Sequence, residues 1–264
     1  MSVVTCEITD GIAQVRLNRP DKLNALTLDV LEELVAVANR LRKDKTLRAV
    51  VIAGNGDAFC AGLDFATVMK QPARVARNFV PRPWNGTNTF QDAAWAWRRI
   101  PVPVIAAVKG HCLGGGLQIA LGADFRFATA DSNWSVLEGK WGIIPDMSGI
   151  RSLSEVVGID TAKRLTMTAE MFSGARAAEL GLVTEIVEDP IAAATAFAQE
   201  LATKSPDALA AAKRLFNDTW AASPRRTFAR ERREQLPLLF GTNTKIIQKA
   251  VAKKLQPEFR PRAR

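Results

Sequence analysis

Gly110-His111-Cys112-Leu113-Gly114-Gly115-Gly116 follows the apolar run Val104-Ile105-Ala106-Ala107-Val108 and leads into a segment that reads as a helix. The same succession occurs earlier, where Ala49-Val50-Val51-Ile52-Ala53 precedes Ala58-Phe59-Cys60-Ala61-Gly62-Leu63-Asp64 and a short helix from about Asp64. A strand that turns sharply into a helix leaves several backbone N–H groups without intrahelical partners. Glycine admits unusual backbone angles and lets a ligand come close. Two such turns are able to aim one N–H each at a single oxygen, an oxyanion hole suited to an enolate or a tetrahedral intermediate. Either turn alone reads equally well as an ordinary strand-to-helix connection, because glycine punctuates turns generally.

Working outward, Val3–Ile8 and Ile12–Leu17 flank Asp10-Gly11, a two-residue hairpin signal. Thr27 is placed to cap a helix running to about Arg42, with Leu28, Leu31, Leu34, Val35, Ala38 and Leu41 at helical spacing. Residues 70–87 read as irregular because Pro72, Pro81, Pro83 and Gly86 interrupt them, and Trp84, Phe90, Trp95 and Trp97 form an aromatic cluster in and after that stretch. A long insertion with aromatics suits either a pocket wall or an anchored surface loop. Further strands are expected at 125–129, 134–137 and 183–187, with helices at about 148–168 and 175–180. From Pro190 the pattern is almost wholly helical, and Ser205-Pro206 and Ser223-Pro224 are good helix starts. Strand and helix thus alternate over residues 1–190, followed by a helical extension over 191–264.

The 264 residues are 47% hydrophobic, ordinary for a globular chain of one large domain or one and a half. No run of about 18 apolar residues predicts a membrane span, and the N-terminus lacks the features of a signal peptide. Cys6, Cys60 and Cys112 are too few and too widely spaced for a disulfide framework or a zinc site, so no metal is expected. A reducing, cytoplasmic setting fits them best. The net charge of +9 is uneven: from Lys213 onward there are 14 basic and four acidic residues, against 22 and 23 before it. Such a basic end suits nucleic acid, a membrane surface or an anionic small molecule, or simply a solvated helical face.

The chain has one histidine and no tyrosine, so carboxylates are the candidates for acid–base work. His111 reads as a packing residue, and no Gly-x-Ser-x-Gly elbow accompanies it. There is no Walker loop, and Gly114-Gly115-Gly116 does not match the dinucleotide fingerprint, so no nicotinamide cofactor is implied. Glu138 closes an apolar strand-like run and Asp146 follows Ile144-Pro145. Acids that flank buried apolar stretches acquire shifted pKa values suited to proton transfer. Asp146 is equally placed to cap the helix that follows.

The chain resembles the crotonase family, the enoyl-CoA hydratases and isomerases. The matching residues are Asn18–Leu26, Phe59–Asp64, Gly110–Gly116, Glu138 with Gly142-Ile143-Ile144-Pro145, and Ala177–Val183, all in the family's order. The resemblance implies an α/β fold, a spiral of ββα units capped by C-terminal helices that build trimers, often paired into hexamers. It implies an acyl-CoA thioester as substrate and no metal or redox cofactor. The N–H groups of Ala61 and Gly115 would hold the thioester oxygen. Lys22, Leu23 and Ala25, with Ala61, Gly62, Leu63 and Asp64, would line the CoA site, and the basic end would meet CoA phosphates. Hydratases of the family use two glutamates around a water. The first falls at Gln118, which orients a water but carries no proton at pH 7; the second matches Glu138. Asp146 stands where hydratases usually have glycine, and the Glu138/Asp146 pair resembles the acids of the family's dienoyl-CoA isomerases. Gln118, Glu138 and Asp146 are therefore the candidate catalytic residues, with a lean toward moving a double bond. The alternatives are a hydratase relying on Glu138, an RNA-binding crotonase-like protein using its basic end, and a weakly active scaffold.

Overall fold

In the computed structural model, which describes residues 2–263, nine strands and twelve α-helices are laid down in chain order. The hairpin β1 (Val4–Thr9) and β2 (Ile12–Leu17) leads through α1 (Leu28–Lys43) to β3 (Ala49–Gly54). Three short helices follow, α2 (Phe65–Val68), α3 (Pro72–Phe79) and α4 (Thr89–Trp95). Next come β4 (Val104–Val108), β5 (His111–Leu113), α5 (Gly115–Leu121), β6 (Phe125–Ala128) and β7 (Asn133–Ser135). Then α6 (Gly149–Leu153), α7 (Ile159–Thr168), β8 (Phe172–Ser173), α8 (Gly174–Glu179) and β9 (Glu185–Ile186) complete the mixed part. The chain ends in α9 (Pro190–Ala202), α10 (Pro206–Thr219), α11 (Pro224–Leu239) and α12 (Thr242–Lys253).

The strands divide between two sheets. One has the order β1-β2-β3-β4-β6-β9 and is parallel from β2 onward; the other has the order β5-β7-β8. Successive strands step from the first sheet to the second, β4 to β5 and β6 to β7, so each turn of the chain is one ββ step of a spiral. The step after β3 is reduced to a single bridge in which Cys60 pairs in parallel with Cys112 of β5. β3 and β4 are buried at every residue, as a parallel sheet covered on both faces requires. One face packs on α1, α4 and α5 through Leu31, Leu34, Ala94 and Leu117. The other is covered by α9, whose Ala194 and Ala198 meet Ala49, Val51, Ile105 and Phe127. Packing is therefore continuous across residue 190.

Caps explain several boundaries. Asp10 and Gly11 both take positive φ (51° and 76°), as a two-residue hairpin turn needs. Thr27, Asp64, Ser173, Asp189 and Ser205 each accept a helix N–H at the head of the helix that follows. Two expectations need correction. Residues 72–79 are helical, because Pro72 occupies a first-turn position where its missing N–H costs nothing. The single helix expected over 148–168 is two, α6 and α7, separated at Gly158. Within the aromatic cluster, Phe90 and Trp97 are core residues while Trp84 is exposed.

The basic end is docked rather than loose. Arg262 is buried and donates from its backbone to Lys45 O and from its guanidinium to Asp44 O. Phe259 lies beneath the Arg48 guanidinium, 5.4 Å from it. Among the described residues no helix is long and apolar enough to cross a membrane.

The two glycine turns approach closely at Gly116. A Cβ there would lie 2.6 Å from both Cβ and the carbonyl oxygen of Cys60. Overpacking of this kind costs about 1–3 kcal/mol, against roughly 0.5–1 kcal/mol gained by alanine over glycine in a helix. Gly116→Ala is expected to lower stability by about 1–2 kcal/mol, read as a lower urea midpoint with an unchanged slope. A midpoint equal to or above wild type would show that the turns have room to spare.

Candidate active site

Backbone hydrogen bonds lace the two turns together. Cys60 N–H donates to His111 O at 2.7 Å, and Leu113 N–H donates to Cys60 O at 2.9 Å. Gly62 (φ +94°) and Gly114 (φ +51°) supply the positive φ that lets each chain reverse beside the other. A second clasp ties the first turn to the loop before α1: Leu26 N–H donates to Gly62 O (2.8 Å), and Asp64 N–H to Leu26 O (2.9 Å). Arg19 completes this clasp by donating to Ala25 O and pairing with Asp64 at 3.2 Å.

Between the turns lies a cavity of about 230 Å³, bordered by Ala61–Leu63, Gly114, Gly115, Glu138 and Asp146 together with apolar side chains. Of the two N–H groups expected to face a ligand, one is already engaged. Ala61 N–H is spent on Leu23 O at 2.9 Å, so it is not open to a ligand. Leu63 N–H and Gly115 N–H have no acceptor among the described residues, and both residues line the cavity. The reason is the register of the clasp: in an extended strand successive N–H groups point to opposite sides, so with Gly62 O and Asp64 N turned to Leu26, Leu63 N–H faces away from it. Sequence alone pointed to Ala61, whereas the N–H of this turn that is left open is that of Leu63.

Gln118 sits on α5, two residues beyond Gly116. It is buried behind Glu138, outside the cavity lining. Its Nε2 donates to Glu138 Oε1 at 2.6 Å, and its Oε1 accepts from Gly149 N–H at 2.8 Å. Both ends of the amide are engaged, and the amide holds the glutamate against the head of α6. Glu138 Oε2 is buried and has no hydrogen-bond partner. Asp146 is half-buried and does not cap α6: the cap position belongs to Ser148, and no side chain caps that helix. Asp146 instead borders the cavity together with Glu138.

Both carboxyls are held above the ordinary carboxylate range. For Glu138 the main cause is burial, opposed by its own backbone N–H and by the Gln118 amide, with the Asp146 charge raising it further. For Asp146 burial again dominates. Two acids held this way in one apolar cavity suit proton transfer. Lys22, Leu23, Ala25 and Asp64 stand outside the cavity, beside the first turn. Asp64 is occupied as the α2 cap and by Arg19. His111 contributes its carbonyl to the lacing and does not line the cavity. Sequence reasoning placed Leu63 in the substrate site without singling out its N–H, and missed Arg19 as a strut and Phe65, Trp141 and Met147 as wall residues; the Phe59–Asp64 and Asn18-Arg19-Pro20 matches were the only signals for Leu63 and Arg19. A larger cavity of about 470 Å³ lies between β6 and α10, away from the turns, where Lys213 pairs with Asp124 and Arg98 with Glu155.

Comparison with known proteins agrees with this architecture. The enoyl-CoA hydratase/isomerase family model matches residues 7–261. A short-chain-enoyl-CoA hydratase from Clostridium acetobutylicum is 34% identical over 217 residues, covering 81% of this chain and 80% of its own. A mitochondrial Delta(3,5)-Delta(2,4)-dienoyl-CoA isomerase from Mus musculus is 32% identical, covering 76% of this chain and 64% of its own. The crystal structure of an enoyl-CoA hydratase from Mycobacterium tuberculosis H37Rv superposes with a TM-score of 0.87 at 30% identity, covering 98% and 99% of the two chains. The chain belongs to the enoyl-CoA hydratase/isomerase family and has its crotonase fold.

The raised Glu138 carboxyl carries a stability consequence. Its folded pKa lies above its unfolded value, so stability is fully present below the unfolded pKa and is lost as pH rises through the folded one. Glu138→Gln removes that loss. It should raise Tm more at pH 8 than at pH 4; an equal gain at both would contradict the assignment.

Proposed function

We propose that the protein moves a carbon–carbon double bond of an enoyl-CoA thioester through an enolate. The thioester oxygen accepts the N–H groups of Leu63 and Gly115. One carboxylate of the Glu138/Asp146 pair takes a proton from a carbon of the acyl chain, and the electron pair shifts toward the thioester oxygen. The other carboxyl, protonated, then delivers its proton to a second carbon and the carbonyl re-forms. The two acids finish with exchanged protonation and reset through solvent, with no net gain or loss of protons. Burial raises both carboxyls above their ordinary values, and the Asp146 charge raises Glu138 further, so keeping one acid protonated beside its ionised partner is made easier. Each oxyanion donor is worth on the order of 3 kcal/mol in the transition state.

The observation that carries this reading is Asp146. It is an acid on the cavity wall, free of any capping duty, while the amide of Gln118 is turned away and bound at both ends. Hydration driven by Glu138 is the second reading, favoured by the unpartnered, buried Oε2 and by relatives named as hydratases. Lys22, Leu23 and Ala25, outside the cavity and beside the first turn, form the proposed approach for CoA. Three unpaired cysteines keep a reducing cytoplasmic setting within the proposal.

The ratio of shifted enoyl-CoA to hydroxyacyl-CoA decides between the two. In wild type the shifted enoyl ester is expected to dominate. Asp146→Asn should lower turnover about 10²–10⁴-fold with little change in ester affinity. Gln118→Glu sets a second carboxylate 2.6 Å from Glu138, forces the pair to share a proton, and should raise the hydroxyacyl share. Full activity in Asp146→Asn with hydroxyacyl-CoA dominant would establish the hydratase instead.

Assembly belongs to the same proposal. Phe216, Trp220, Phe228, Leu236, Leu239 and Phe240 are all more than half exposed on the C-terminal helices, and α11 buries only Glu234. An apolar surface of that extent is better covered than left in water. Light scattering should report a trimer or hexamer at micromolar concentration, and a monomer would overturn that expectation.

A further inference from the structure

Aromatic residues make up 7% of the chain, yet four of the 17 residues around the acid-bearing cavity are aromatic: Phe65, Phe79, Phe90 and Trp141. They arrive from separate elements, α2, α3, α4 and the turn after Glu138, and meet as two pairs. Phe65 and Trp141 have ring centroids 5.1 Å apart at 36°, and Phe79 and Phe90 lie 4.7 Å apart at 43°. These separations fall in the range where tilted aromatic rings attract one another, faces to edges. Among the side chains of the lining, only Glu138, Asp146 and the indole N–H of Trp141 are polar. The lining holds no cation for a carboxylate on the tail, and either acid, where ionised, repels one. A hydroxyl or amide beyond the reach of these three groups would lose its water without gaining a partner.

The chemistry of the walls narrows the class further. A ring seated in this cavity of about 230 Å³ meets aromatic faces and edges from both pairs, an attraction that an alkyl chain with the same number of carbons lacks. Building on the acyl-site reading above, we propose that the natural substrate carries an unsubstituted ring, aryl or of aryl size, on its acyl tail, seated between the two aromatic pairs.

Saturated thioesters test this without turnover. Calorimetry would compare 3-phenylpropanoyl-CoA with nonanoyl-CoA, which have the same number of acyl carbons, and with free CoA. Each added aromatic contact is worth about 2- to 13-fold in affinity, so the phenyl ester should bind at least tenfold more tightly than the nonanoyl ester. Trp141→Leu and Phe90→Leu keep apolar bulk but remove a ring, and should each cut that ratio to about threefold or less while nonanoyl affinity changes little. Phe90 is only 4% exposed whereas Trp141 is 57% exposed, so Trp141→Leu remains informative if the Phe90 variant fails to fold. Equal or tighter binding of nonanoyl-CoA overturns the ring assignment and leaves the acyl site standing. Binding of neither ester more tightly than CoA overturns the acyl site itself.

Discussion

The pairing of Cys60 with Cys112 is the constraint on which the site depends. Two hydrogen bonds, Cys60 N–H to His111 O and Leu113 N–H to Cys60 O, fasten the turn after β3 to the turn after β4. Their strands are neighbours in the main sheet, so the turns start side by side. The bridge fixes their register, and Gly116 permits the approach because any Cβ there would strike Cys60. Both thiols are fully buried, with pKa values pushed up by that burial, Cys60 to about 12. At these positions cysteine acts as a small apolar filler, and the chemistry resides in the backbone around it.

The acids follow from the same frame. Glu138 begins in the turn that β7 delivers beside β5, and Gln118, two residues beyond Gly116 on α5, reaches it with its amide. The oxygen of that amide holds the first N–H of α6, just beyond Asp146. One buried side chain thus links the second turn, the glutamate and the segment carrying the aspartate. Its carboxylate counterpart would carry a charge into the same space, which is why a single atom change at residue 118 bears on the balance between water addition and double-bond migration.

Much of this was legible in the sequence. The strand, turn and helix successions around 49–64 and 104–121 mark both turns, since apolar runs and glycine positions are local signals. Glu138 and Asp146 could be singled out because each ends an apolar stretch. What could not be read was direction. Whether Ala61 or Leu63 presents its N–H to the cavity depends on the pairing of Leu26 with residues 62–64, a contact across more than 30 positions. The burial of the Gln118 amide behind Glu138 and the docking of Arg262 on the loop before β3 are likewise long-range. Helix α3 was hidden for a different reason: Pro72 signals a break within a run and a start at its head, and only packing distinguishes the two.

The most direct test of the account is the crystal structure of the protein with a saturated acyl-CoA bound. The thioester oxygen should lie about 2.7–3.1 Å from both Leu63 N and Gly115 N, with the carbons next to the thioester beside Glu138 and Asp146. A thioester oxygen that instead meets Ala61 N, or neither turn, would contradict it.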